Sequence, residues 1–243
     1  MSQSNASSKS YSELVQLRMS RRAALLGLAS AATLAATAGL PRVGQAAPAT
    51  SLKFEELKKV YDQTHHVAPG YEAKVLVRWG DPLVSGAEFD PAAITADRQS
   101  KQFGYNCDFV GYMPLPFGSG SSEHGLLCVN NEYPDPHIMW PGMTEDDAAT
   151  KASEDQIRAM MAAWGHSIVE VKKQNGAWSY VQDSQYNRRI NGYTEIRISG
   201  PAAGHALLKT SADPSGTKVM GTGYHCAGGT TPWGTALTCE EGP

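Results

Sequence analysis

A thiol at Cys226, a Gly228-Gly229 pair expected to turn the chain, and the carboxylates Glu240 and Glu241 after the next strand-like run form the chemically richest stretch of this sequence. A loop of that kind folds a soft sulfur ligand back towards hard oxygen ligands. Such a mixed donor set suits a borderline or trivalent metal such as iron. The plainer reading is a buried cysteine with a glutamate pair on a solvated strand end, and spacing alone leaves both open. Two upstream clusters also set acids and amides beside aromatic residues: Phe103-Gly104-Tyr105-Asn106-Cys107-Asp108-Phe109 and Leu127-Cys128-Val129-Asn130-Asn131-Glu132-Tyr133. An unpaired charge at Asp108 or Glu132 would be costly in such apolar surroundings, which points to metal coordination or ion pairing. Turn chemistry at Asn106 and Asn130, with hydrogen-bonded acids at a strand edge, is the alternative.

Other constellations are poorer. The run Gly118-Ser119-Gly120-Ser121-Ser122-Glu123 lacks the third glycine and the following helix of a dinucleotide site, and reads as a hairpin tip. His65-His66 sits in a polar loop, where neighbouring side chains on extended backbone point opposite ways, so a surface role is expected. His124, His137, His166 and His205 stand alone, and His225 beside Cys226 is placed to support a ligand or to face a substrate. No Ser-His-Asp order with a nucleophile elbow occurs.

Positioning these groups falls to short strands. Strand-like runs recur between Gly, Pro and Asn signals at residues 73–79, 125–130, 167–173, 178–182, 194–199 and 235–239. Asn175-Gly176 between two such runs predicts a hairpin by its turn chemistry. Helices are expected over Phe54 to Asp62, and from a Thr144 cap with an acidic first turn to just before Gly165. Ile157, Met160, Met161 and Trp164 are spaced for one buried face of the second. The predicted class is all-β, of propeller or sandwich type with helical insertions. No repeat of fixed period is visible.

With 41% hydrophobic and 19% charged residues over 243 positions, the composition excludes disordered, collagenous and supercharged classes. The net charge of −3 hides an asymmetry: residues 1–47 carry five basic groups against one acid, which leaves 16 against 23, or −7, for the remainder. An acidic domain has no electrostatic footprint for nucleic acid, whereas it suits divalent or trivalent cations. Four cysteines without a CxxC pair exclude a disulfide scaffold.

Residues 1–47 read as a twin-arginine export signal. Ser20-Arg21-Arg22 precedes an uncharged stretch rich in alanine and leucine from Ala23 to Leu40, and the small-residue run Gly44-Gln45-Ala46 marks the cleavage region. A single membrane span over Ala23 to Leu40 is the alternative. Export in the folded state fits a cofactor inserted before secretion. The expected location is periplasmic or secreted, with the twin-arginine translocase as a transient partner and no lasting membrane anchor.

Four features in order carry a resemblance. They are the Ser-Arg-Arg leader, Gly104 to Tyr112 with Pro114-Leu115-Pro116, Gly125 to Tyr133, and the block from Cys226-Ala227-Gly228-Gly229-Thr230-Thr231-Pro232-Trp233-Gly234-Thr235 to Glu241. The chain resembles the PhoX-type alkaline phosphatases over residues 100–241. The resemblance implies a β-propeller whose central pocket holds iron and calcium and hydrolyses phosphate monoesters. It also implies Cys226 as the thiolate ligand of iron, Glu241 as a bridging carboxylate, and Glu132, Asp108 and Glu240 as further metal ligands. Asn131 stands where the family often shows histidine, and Cys107 where it often shows asparagine. Relatives run well beyond this length, so residues 48–243 are expected to be the N-terminal part of such a propeller, a truncated domain that alone could lack activity. The alternatives are another metal-dependent propeller hydrolase, of lactonase or phytase type, and a non-catalytic exported module that binds metal or phosphate.

Overall fold

The computed structural model describes residues 55–241, so the expected export signal lies outside the described residues. The chain divides into two units, residues 1–72 and 73–243. In the first, the expected helix over Phe54 to Asp62 is not found: residues 55–60 have no regular structure and are exposed throughout. A helix this short is unstable without a surface to pack on. His66 lies exposed nearby, its Nε2 2.8 Å from Asp62 Oδ2, in keeping with the surface role expected of the histidine pair.

The second unit is built on one antiparallel sheet. Its strands are β1 (Cys107–Pro114), β2 (His124–Asn131), β3 (Gly165–Gln174), β4 (Ala177–Tyr180) and β5 (Arg188–Ile190). The order is β1-β2-β3, with β4 and β5 sharing the far edge of β3. Gly118 to Glu123 form the loop between β1 and β2, as the sequence suggests. Asn175 and Gly176 take φ of 52° and 80° in the β3–β4 turn, the left-handed pair that such a hairpin requires. Residues Gly165 to Val171 of β3 are all buried. Alternation places Val129 and Val169 with Leu83 and Phe103 on one face, and Cys128 and Ile168 with Met113 on the other. With both faces covered, the central strands bury polar side chains too, among them Asn130, Asn131, His166 and Ser167.

Two ribbons complete the strands: β6 (Glu195–Arg197) with β7 (Lys218–Met220), and β8 (His225–Thr230) with β9 (Ala236–Glu240). The all-β class holds, decorated by the short helices α1 (Ala96–Gln99), α2 (Pro136–Met139), α3 (Glu145–Lys151) and α4 (Glu154–Ala163). No closed barrel forms among the described residues, and no helix there is long and apolar enough to cross a membrane.

Three local expectations need correction. Residues 73–78 form no strand, and the pairing nearby among the described residues is the single bridge Pro82↔Gln102. The Gly228-Gly229 pair lies inside β8, and the turn falls at Thr231 to Gly234. The long helix is two helices, each opened by its own reciprocal cap: Thr144 with Asp147, and Ser153 with Gln156. The buried face of α4 is Ala159, Ala162 and Ala163, because small residues allow it to pack closely. Ile157, Met160, Met161 and Trp164 instead line a cavity of about 480 Å³ with Tyr133 and Tyr224.

Candidate metal centre

Two strand irregularities build the centre. In β1 the pairing with β2 runs Cys107↔Asn131 and then Val110↔Val129, so Asp108 and Phe109 occupy a bulge. In β8 the pairing with β9 runs His225↔Glu240 and then Gly228↔Thr238, so Cys226 and Ala227 occupy another. A bulge inserts one extra residue and re-aims the side chains it carries. Between the two stands Glu132, the residue after β2. Its N–H donates to the Asn106 carbonyl at 2.9 Å, and its carbonyl accepts the Tyr224 N–H at 3.1 Å. Asn106 makes its turn at φ 56°, a conformation asparagine tolerates. The Phe109 ring lies against Gly228, where a Cβ would sit 2.4 Å from it; glycine there lets β8 approach β1.

The outcome is a convergence of donors. One ligand atom each from Asp108, Glu132 and Cys226 lies within 4.8 Å of the others. The Cys226 thiol donates to Glu132 Oε1 at 2.8 Å. That hydrogen bond first, then burial, then Asp108 and the charges of Glu132 and Glu241, push the thiol up to about 12. Surrounded in this way it keeps its proton, and a cation seated among the three donors is what would reverse the balance. One sulfur and two carboxylates fit a borderline metal such as iron, and the carboxylates alone suit calcium.

The two C-terminal acids separate. Glu240 does not join the group: its Oε1 accepts from Thr222 Oγ1 at 2.8 Å and from the Gly223 N–H at 2.9 Å. It lines a cavity of about 790 Å³ together with His225 and Thr238, and none of the three donors reaches that cavity. Neighbouring residues on extended backbone face opposite ways, and Glu240 is the last residue of β9 with Glu241 just beyond it. Glu241 donates its N–H to the Tyr224 carbonyl at 2.8 Å, and its charge acts on Cys226. Its carboxylate lies outside the three-donor group.

Beneath the donors lies an arginine that sequence reading does not single out. Arg189 Nη1 donates to Asn131 Oδ1 at 2.5 Å and to Ser167 Oγ at 2.6 Å. Its Nη2 donates to the carbonyls of Ala162, Ala163 and Trp164 at 3.0, 2.8 and 2.7 Å. It thereby caps the C-terminal end of α4 and ties it to the residue preceding Glu132. Burial pulls the guanidinium down to about 9, against an opposing interaction with Cys107, so it stays charged at neutral pH. Gly104 sits against this pair, where a Cβ would meet Asn131 Oδ1 at 2.3 Å.

Of the histidines, His124 contacts Glu170 and His137 contacts Asp135, away from the donors. His225 is buried at 3% exposure, bridging Thr222 and Thr238. His166 is 4% exposed and donates from Nδ1 to Asn130 Oδ1 at 2.8 Å. Burial, then charge interactions with His225, Arg189 and Arg188, hold its pKa down at about 4 against an ordinary 6.5. The unfolded chain therefore takes up a proton between these values that the folded chain refuses. The corresponding stability is complete above pH 6.5 and is lost as pH falls towards 4, by at most about 3 kcal/mol. Urea unfolding at pH 7 and pH 4.5 should record that loss, and His166→Gln should shrink it; equal acid loss in the variant would reject the assignment.

Residues 52–242 match the profile of the family described as alkaline phosphatase PhoX, and the chain belongs to that family. Among solved structures, it is similar to Pseudomonas fluorescens PhoX in complex with vanadate, a transition state analogue, at 43% identity and a TM-score of 0.70. That match covers 77% of this chain, which spans 31% of the Pseudomonas chain. No curated protein matches the sequence.

Proposed function

We propose that this chain forms part of the site of an exported, metal-dependent phosphomonoesterase. In this reading Cys226 binds iron, and Glu132, Asp108 and Glu241 bind iron or calcium. The five-stranded sheet is one blade of a propeller, and the β8–β9 ribbon opens the next. The observation that carries the reading is the meeting of a thiol and two carboxylates within 4.8 Å in a member of the alkaline phosphatase PhoX family.

Bound among these donors, the metals would supply Lewis acidity that offsets charge on a transferring phosphoryl group. The chain's own part is to hold cations at fixed spacing. Asp108 and Cys226 are aimed by their bulges, Glu132 is clamped through its main chain, and Arg189 braces the strand end from which Glu132 projects. Glu240 stays out of the ligand set and anchors the Thr222-Gly223 turn. The vanadate bound by the Pseudomonas protein is described as a transition state analogue, and a phosphate ester passing through the same shape is the proposed substrate here.

Joined to the remaining part of such a site and loaded with iron and calcium, the chain is expected to release phosphate from an aryl phosphate and to be inhibited by vanadate; by itself it is expected to bind the metal of the three donors. Phosphate release that ignores chelator would overturn the metal reading. Metal binding without phosphate release, once the rest of such a site is present, would overturn the hydrolase reading and leave a binding module. Turnover of a lactone in preference to the ester would assign the site to a different hydrolase class.

A further inference from the structure

We propose that Asn130 is the positioning residue of this centre, holding Cys226 in its bulge so that the sulfur meets Glu132. The proposal rests on the metal reading above. A bulge interrupts the ladder between two strands, and here it falls at Cys226 and Ala227. The Asn130 amide takes up both of their carbonyls, with Nδ2 donating to Cys226 O at 2.8 Å and to Ala227 O at 3.1 Å. Its Oδ1 accepts from His166 Nδ1 and from Thr238 Oγ1, each at 2.8 Å.

Two bonds given and two accepted saturate the amide hydrogens and both lone pairs of the carbonyl oxygen. They also fix which way round the amide sits, since only the nitrogen can face two carbonyls. Asn130 is 0% exposed. Its partners lie on β3, β8 and β9 while it sits on β2, so one side chain joins the large sheet to the ribbon bearing Cys226. Alternation puts Asn130 and Glu132 on the same side of their segment. One grips the main chain of Cys226 and the other meets its sulfur. Thr238 donates its proton to Asn130 and therefore accepts from His225 Nδ1 at 2.8 Å, which extends the same chain of bonds to the residue preceding Cys226. Buried polar chains of this kind act as units, in which each member fixes the next.

Cobalt(II) tests this directly, because a thiolate ligand gives it an intense near-ultraviolet charge-transfer band. Metal-free wild type, Asn130→Asp, Thr238→Val and Cys226→Ser would be titrated with Co²⁺, each variant checked for folding by circular dichroism and urea unfolding. Wild type should show the band and Cys226→Ser should lack it. Asn130→Asp keeps the size of the side chain but turns an oxygen towards the two carbonyls. It should bind about 10- to 100-fold more weakly, with the band diminished, as loss of a group that orients a ligand does. Thr238→Val leaves Asn130 in place with one anchor fewer, and should weaken band and affinity in the same direction by a smaller factor.

A folded Asn130→Asp with wild-type affinity and band overturns the proposal. If that variant does not fold, Thr238→Val decides: an unchanged band and affinity overturns it, and a weakened band supports it. Absence of any Cys226-dependent band in wild type would instead overturn the metal reading itself, and the proposal with it.

Discussion

Cys226→Ser is expected to remove tightly bound iron while leaving the metal-free fold almost unchanged. Serine fits the space and its hydroxyl can still donate to Glu132 Oε1, the bond that the thiol makes at 2.8 Å. What it cannot do is ionise to a soft anion near neutral pH, so the centre loses a ligand rather than a packing contact. The loss of iron affinity should exceed the roughly 10- to 100-fold that removal of a supporting residue costs. Stability of the metal-free chain should move by less than about 1 kcal/mol. Iron content after dialysis and urea unfolding of the metal-free protein measure the two halves separately. Iron retained at wild-type affinity would remove Cys226 from the centre.

Arg189→Met should have the opposite signature, a large loss of stability. The guanidinium makes five hydrogen bonds, three of them to the last carbonyls of α4. Methionine matches its length and satisfies none of these acceptors. Each buried acceptor left alone costs about 1–3 kcal/mol, and partial relaxation with water entry brings the expected total to about 3–5 kcal/mol. Arg189→Lys should recover only part of this, since an ammonium cannot reproduce the planar fork. Denaturant unfolding decides the point: a loss below about 1 kcal/mol would mean that water replaces the guanidinium without penalty.

The sequence was most legible where local chemistry fixes local geometry. The Asn175-Gly176 hairpin, the Thr144 cap and the loop from Gly118 follow from residue type alone, and each is found as read. Elsewhere packing decides. Residues 55–62 carry a helical pattern yet are exposed and form no helix, and α4 buries its alanines rather than its larger side chains. The same division holds at the centre. Asp108, Glu132 and Cys226 were visible as acids and a thiol in apolar company, and the structure brings those three together. Glu240 was not separable from Glu241 by type, because strand phase decides which way each faces. Asn130 looked like turn chemistry, and nothing in its neighbourhood announces the carbonyls of Cys226 and Ala227, 96 and 97 residues away. Arg189 was invisible for the same reason: its acceptors lie 22 to 58 residues distant and are mostly main-chain oxygens.

The paired bulges make the centre depend on residue count as well as on residue identity. Removing one residue from β1 between Cys107 and Val110, or from β8 between His225 and Gly228, would restore a continuous ladder while leaving every other residue in place. The donor would then turn to the opposite face of its strand. A lineage can thus drift at the positions around Asp108 and Cys226 more freely than it can shift frame within them. Anyone grafting these ligands onto another antiparallel sheet would have to carry over the two supernumerary residues along with the side chains.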